Sequence, residues 1–527
     1  MLCQNESMKQ TGIFFVLLFL IVTPARSEML GYHEIQTDTS GRIVPWNSSQ
    51  PEAAYDDIIG RVWHFWKGLG NCSNGIPYFY QHQVWKPEGD PRGLGGDQLG
   101  MALSSLNLYY DYSGDVEVRK YMMGIADFVL DHGLSAATDQ WPNLPYPYNI
   151  DLHGGSYDGD MRAGKGFLQP DKAASFGAEL ITLHEMTGEM RYFNAAESIA
   201  DTLVSKMIPG DDEHSPWPFR VNARTGVACT NAFAPYTANW TGALRLFDSL
   251  IRQHAKNQKS YESARSNLMH WIRDYPLKTN KWGPFFEDVS FWSNTEINAD
   301  TMAWYLLEYA RPADLPGDTA PAAARRILDW SYNTFNTNGW SKFGVSVIME
   351  QTAYKVPGNS HTSRHASVEL VYSEKSGNTL RKEDAIRQLN WTTYMVDEDG
   401  KNRYPRDDIW LTDGYGDYMR HYLRAMAAAP ELAPCAQNHL LHSTSTLREI
   451  HYSRQQIRYN TFEKSSSERL RIAFEPAFVE CGARKLRRLD SREKLKSRNG
   501  YYFESTGPLK GLLEIRHSKS SDVVISQ

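Results

Sequence analysis

The chain has 527 residues, of which 41% are hydrophobic and 22% charged, with a net charge of −6. These are the values of an ordinary soluble protein with a large core, too long for one small domain. No nucleic-acid-binding motif accompanies this mildly acidic balance, and nucleic acid is excluded as a partner. The 12% aromatic fraction, with 15 Trp and 29 Tyr, is high.

At the front of the chain, Met8 and Lys9, the apolar run Ile13 to Val22 and the triplet Ala25-Arg26-Ser27 have the form of a secretory signal. Met8 is the natural start under this reading. The run is too short to span a bilayer as a helix, and no later segment is long and apolar enough to anchor the chain. The expectation is a protein exported to the periplasm or the medium, without membrane insertion once the signal is removed. Four cysteines then remain, Cys72, Cys229, Cys435 and Cys481. An oxidising compartment permits Cys72–Cys229 and Cys435–Cys481 as pairs, or four free thiols. None has CxxC spacing, and neither a metal site nor a cofactor is expected. Asn-x-Ser/Thr triplets begin at Asn47, Asn71, Asn239 and Asn390.

Between the signal and Pro430, apolar residues recur at helical spacing in paired stretches. First helices are predicted near Asp97, Asp171, Tyr236, Glu296, His361 and Gly416. Their partners begin near Asp115, Glu189, Lys259, Thr319 and Arg381, and at Pro51, which closes the set from the front of the chain. The hinges Ser113-Gly114-Asp115, Thr187-Gly188-Glu189 and Ser376-Gly377-Asn378 place a C-cap glycine beside a residue suited to open the next helix. Six helical hairpins at near-regular intervals predict a mainly α fold, an (α/α)6 toroid. Long loops rich in aromatic and charged residues precede each first helix, so they gather on one face, where the chemistry is expected.

After Pro434 the pattern changes. Ile457–Phe462, Leu470–Phe474, Gly500–Glu504, Leu512–Arg516 and Val523–Ile525 read as short strands. They predict a small C-terminal β-sandwich. The expected division is residues 1–27 as signal, 28–434 as the catalytic ring and 435–527 as an accessory sandwich. From Ala436 onward the net charge is +7, which leaves −13 for the rest. This suits a solvated basic face or contact with an acidic polymer.

Candidate site residues come from the long loops. Trp85, then Trp141 and Tyr148, then Trp217 and Arg220, and finally Trp292 and Trp410, supply flat faces and a cation for sugar rings. The second loop adds His153 and Asp158 among clustered carboxylates without EF-hand spacing. In the fourth loop Glu287 and Asp288 sit between aromatic residues, which raises a carboxyl pKa and suits a general acid. Glu296, Asn298 and Asp300 straddle the next helix start, where Asn298 or Asp300 also fits a helix cap. The fifth loop ends at Asn359, His361, Arg364 and His365, a set able to take a proton and hold a carboxylate. Helix capping is the structural alternative there. The sixth loop brings Asp408 and Asp413 near Trp410 as a second carboxylate pair.

Six hairpins, aromatic- and acid-rich loops at the helix starts and a C-terminal β-domain resemble the six-hairpin glycosidase-like superfamily over roughly Glu52 to Pro430. That resemblance implies a secreted carbohydrate-active enzyme acting on a poly- or oligosaccharide. A glycoside hydrolase is the first expectation, with Glu287 or Asp288 paired with Asp408 or Asp413 as acid and base. A polysaccharide lyase or uronate epimerase is the second, with His361 or His365 as base and Asn359 and Arg364 holding the carboxylate. A non-catalytic glycan-binding protein is the third. The sugar, linkage and oligomeric state are open.

Overall fold

The computed structural model describes residues 28–71, 77, 96–147, 166–228, 235–285, 292–403, 412–507 and 510–527. Of 96–98 and 412–415 only the backbone is described. Among the described residues twelve long helices pair into hairpins. They are α1 (Pro51–Gly68), α2 (Gly96–Ser113), α3 (Val116–His132), α4 (Pro170–Thr187), α5 (Met190–Lys206) and α6 (Thr241–Arg252). Then come α7 (Gln258–Asp274), α8 (Glu296–Tyr309), α9 (Ala320–Phe335), α10 (Asn359–Ser376), α11 (Lys382–Thr393) and α12 (Thr412–Ala428). The even-numbered helices form an inner ring that closes where α12 packs on α2, and the odd-numbered helices lie outside. This is the (α/α)6 toroid that the hairpin pattern predicts.

Local chemistry sets the boundaries. The Asp115 carboxylate accepts from the Glu117 N–H at 2.9 Å and opens α3. Thr319 does the same for α9 through the Ala322 N–H. Gly188 and Gly377 close α4 and α10 at φ 80° and 73°, a region open to glycine without strain. The third inner helix begins at Thr241 rather than near Tyr236. Residues before it are used as a strap, with Thr237 Oγ1 donating to the Pro284 carbonyl and Asn239 to Asp171. Inner helices are covered on all sides, as a central ring must be. In α10 every residue from Asn359 to Ser373 is buried, polar ones included. Much of the aromatic excess is core: Trp63, Trp66, Trp217, Trp240, Trp271, Trp282 and Trp391 are fully enclosed. No described helix is long and apolar enough to cross a membrane.

Nine strands follow: β1 (His439–Ser443), β2 (Leu447–Tyr452), β3 (Gln456–Thr461), β4 (Ser466–Ile472), β5 (Phe478–Cys481), β6 (Arg484–Lys485), β7 (Gly500–Gly507), β8 (Lys510–His517) and β9 (Asp522–Ser526). They form antiparallel sheets in the orders β7-β8-β4-β1 and β6-β5-β9-β3-β2. Leu447, Ile450, Ile457, Leu470, Leu513 and Ile525 fill the space between them. The sandwich docks on the C-terminal ends of the inner helices α2, α4 and α12. His439 stacks on Tyr112, with ring centroids 3.9 Å apart. Thr446 Oγ1 donates to Glu185 at 2.6 Å, and Arg469 pairs with Glu374 at 2.6 Å.

Of the two readings open for Cys435 and Cys481, a bridge or free thiols, the second holds. Both thiols are free: Cys435 lies 3.1 Å from Lys510 Nζ, and Cys481 sits in β5 against the Ser520 carbonyl at 3.4 Å. Cys72 and Cys229 lie outside the described residues. Asn239 and Asn390, two of the glycosylation-type positions, are buried and hydrogen-bonded, Asn390 accepting from the Tyr55 hydroxyl at 2.6 Å.

Candidate active site

Three neighbouring inner helices each present a pair of titratable side chains four residues apart. These are Glu296 and Asp300 on α8, His361 and His365 on α10, and Asp417 and His421 on α12. Four-residue spacing stacks each pair on one helix face, and all six lie within the first three turns of their helices.

Two glycines permit the arrangement. A Cβ on Gly358 would meet His361 Cδ2 at 2.2 Å, so glycine leaves room for the ring to fold back over the helix start. A Cβ on Gly416 would lie 2.7 Å from the Ala102 backbone nitrogen. Its absence lets α12 press onto α2 and sets the depth of Asp417.

The pairs are joined by Arg364, which donates to both Glu296 and Asp417. Arg420 also donates to Asp417, and His421 Nε2 is 3.3 Å from the same carboxylate. His361 Nδ1 is 2.8 Å from Glu296 Oε2. His365 Nδ1 is 2.7 Å from Asp300 Oδ2, with Glu369 at 3.7 Å from its other nitrogen. Glu296, Asp300, His361, Arg364, His365, Asp417 and His421 are each no more than 4% exposed. Charges so deeply placed persist only when paired, which is why the network is continuous.

Burial displaces the proton affinities, as is common where titratable groups do chemistry. Burial pulls His361 well below the ordinary histidine value, and Arg364 pulls the same way. His421 is lowered by burial and then by Arg364, Arg420 and Arg424. Both rings are therefore neutral near pH 7. Burial pushes Glu296 well above the usual carboxylate range; Arg364 opposes this and Asp300 adds to it. For His365, burial pulls down, but Asp300 and then Glu369 outweigh it and leave the value raised.

A second group lies on α4. Lys172 Nζ is 3.0 Å from both Asp171 Oδ2 and the Phe285 carbonyl, and 3.5 Å from the centre of the Phe285 ring. Asn239 donates to Asp171 at 2.8 Å.

Of the sequence candidates, the structure brings His361, Arg364 and His365 together at the centre of the network. Asn359 instead ties α10 to the segment before α12, donating to Asn402 at 2.5 Å and to the Arg403 carbonyl at 3.1 Å. Trp141 and Trp217 are buried in the packed interior, Trp217 donating to the Leu203 carbonyl at 2.8 Å. Arg220 is buried over Phe167, 5.4 Å from its ring centre. Trp292 is partly exposed and packs against Tyr236. Trp85, Tyr148, His153, Asp158, Glu287, Asp288, Asp408 and Trp410 lie outside the described residues, as does the side chain of Asp413. Neither Asn298 nor Asp300 caps α8: Asn298 holds the carbonyls of Trp282, Gly283 and Pro284, and Asp300 faces His365. Sequence reasoning passed over His421, Asp171 and Lys172 and did not assign roles to Glu296 and Asp417. The repeated four-residue spacing was the signal. Among the described residues no group of three or more His, Cys, Asp or Glu is placed to hold a metal ion.

No protein-family model matches the sequence, and no curated protein is significantly similar to it. Solved structures do share its fold. A sugar epimerase from a ruminal bacterium is 11% identical, over 71% of this chain and 98% of that chain, with a TM-score of 0.53. Cellobiose 2-epimerase from Spirochaeta thermophila is 12% identical over 72% and 96%, with a TM-score of 0.51. A D-mannose isomerase is 9% identical over 72% and 97%, also with a TM-score of 0.51. At these identities the likeness establishes architecture alone: the chain shares its (α/α)6 fold with these enzymes.

Proposed function

We propose that the protein is a carbohydrate-active enzyme that moves a proton at a sugar carbon, as an epimerase or isomerase does, with His361 as general base. The observation behind this reading is the neutral, buried His361 held at 2.8 Å by Glu296 and flanked by the fixed guanidinium of Arg364. A base must be unprotonated at working pH and held in one orientation. Glu296 Oε2 accepts Nδ1–H and leaves the Nε2 lone pair as the proton acceptor. Arg364 neutralises charge that develops nearby, among side chains that are themselves buried. The sugar epimerases and the mannose isomerase that share the fold agree with this chemistry, although fold alone does not fix function.

Hydrolysis is the second reading, favoured by one observation: the raised proton affinity of Glu296 beside Asp300 is what a general acid requires. Export of the mature chain belongs to the same proposal, since extracellular glycans suit a secreted enzyme. Incubation in D2O with a panel of aldoses, uronic acids and oligosaccharides separates the readings. Deuterium at a sugar carbon, with inverted or isomerised product, supports proton transfer. New reducing ends without carbon-bound deuterium overturn it in favour of hydrolysis and direct attention to Glu287, Asp288, Asp408 and Asp413. A new double bond absorbing in the ultraviolet marks elimination instead.

A further inference from the structure

Beyond the network just described, two guanidinium groups lie over one tryptophan, with a third beside them. Arg424 lies 3.9 Å and Arg245 5.7 Å from the centre of the Trp304 ring. Arg420 is close enough to both to raise the cost of their charge. Carboxylates nearby are too few. Glu179 pairs with Arg245 at 2.8 Å, and Asp417 is already divided between Arg364 and Arg420. Arg424 has no carboxylate partner among the described residues. An arginine does not discharge by losing its proton, so a partly buried guanidinium beside two others favours an anion from outside the chain.

Space for one is present. Arg424, Arg245 and Trp304 form the roof of a cavity of about 690 Å³ between the C-terminal ends of the inner helices and the sandwich. That is within the range of small-molecule sites, roughly 300–1,000 Å³. Arg252 and Glu463, 51% and 45% exposed, stand at its wall and mark access from solvent. Other acids in the wall are spoken for: Glu308 pairs with Lys375, Glu374 with Arg469 and Glu185 with Arg252. Asp111, also in the wall, makes no ion pair among the described residues, and burial pushes its carboxyl toward the neutral form. The same three roof residues also line a narrower space on the side of Lys172 and Asn239.

We propose that Arg424, with Arg245 and Trp304, forms a second binding site that takes the carboxylate of an acidic sugar entering from the sandwich side. The guanidinium of Arg424 binds the carboxylate, the indole backs the ligand, and the polar wall of the cavity meets its hydroxyl groups. This site is independent of His361 and of the reaction proposed for it.

Isothermal titration of the full chain with sodium glucuronate, glucose and sodium sulfate tests the proposal. Glucuronate is expected to bind, more weakly as salt rises, and glucose is not. Arg424→Gln should weaken glucuronate at least about tenfold, the loss expected when a hydrogen bond to a charged group is removed. His361→Gln should leave that affinity unchanged. Ala427→Trp, which fills the cavity from its wall, should give the same loss as Arg424→Gln and keeps the test open if that variant does not fold. Sulfate bound as tightly as glucuronate would show a free-anion site and overturn the sugar-borne ligand. Full affinity in a folded Arg424→Gln or Ala427→Trp protein would overturn the site itself.

Discussion

His361 is neutral because burial denies its ring a proton, and that has a thermodynamic consequence. In the unfolded chain the same ring titrates near its ordinary value of 6.5. Below that pH the unfolded state binds a proton that the folded state does not, so stability falls as pH falls. The sign is that of a base with a depressed folded-state pKa: its contribution is present above about 6.5 and is lost on acidification. Between about pH 7.5 and about pH 5.5 one such ring costs about 1.4 kcal/mol while the folded ring stays neutral. His421 adds a similar amount, being lowered by burial and by the same arginines. His365 does not contribute to this limb, because Asp300 and Glu369 hold it above the ordinary value. Its stabilisation is complete below about 6.5 and is lost as pH rises through its folded value. Urea unfolding of wild type and His361→Gln at the two pH values isolates the term, since every other titration is common to both. The acid-induced loss should be smaller in the variant by about 1.4 kcal/mol. Equal losses in the two proteins would mean that His361 takes a proton in the folded state, and the neutral-base reading would fail.

Asp417→Asn leaves Arg364 and Arg420 facing an amide in place of a shared carboxylate. A loss of about 3–5 kcal/mol is expected, the usual cost of breaking a buried charge network, read as a lower thermal midpoint; an unchanged midpoint would refute the bridging role. Gly358→Ala forces the His361 ring away from a Cβ that would otherwise sit 2.2 Å from Cδ2. Turnover should fall while α10, whose backbone at that position is extended, remains folded by circular dichroism. Gly416→Ala pushes a methyl group into the α2 backbone, and an overpacking cost of about 1–3 kcal/mol is expected in denaturant unfolding. Non-reducing peptide mapping should find Cys435 and Cys481 unlinked, and a Cys435–Cys481 peptide would contradict the geometry of both.

The ring was legible because its signals are local. A glycine flanked by a cap residue, repeated at Gly114, Gly188 and Gly377, marks a hairpin wherever it falls. Pro51 opens α1 because a proline at the first helical position forgoes only an orphan N–H. The start of α6 was misplaced because Tyr236 to Trp240 are apolar enough to continue a helix but are held extended by distant partners, Pro284 and Asp171. In the sandwich, β3, β4, β7, β8 and β9 alternate visibly. β1 and β2 do not, since His439, His442 and Arg448 are used to meet the ring.

The site was legible in part. His361 and Arg364 announced themselves as a basic cluster at a helix start. Their partners could not be chosen, because Glu296 and Asp417 stand 65 and 53 residues from the groups they bind. Only ring closure brings α8, α10 and α12 side by side. Exposure is the other difference: Trp141 and Trp217 read as loop aromatics, yet both fill the interior, Trp217 through its bond to the Leu203 carbonyl near the end of α5.

The most direct test of the catalytic reading is the turnover of His361→Gln on the substrate that wild type converts, with both proteins matched by melting temperature. Loss of the general base predicts a fall of about 10²–10⁴-fold in kcat with little change in KM. A folded His361→Gln enzyme that turns over at the wild-type rate would contradict it.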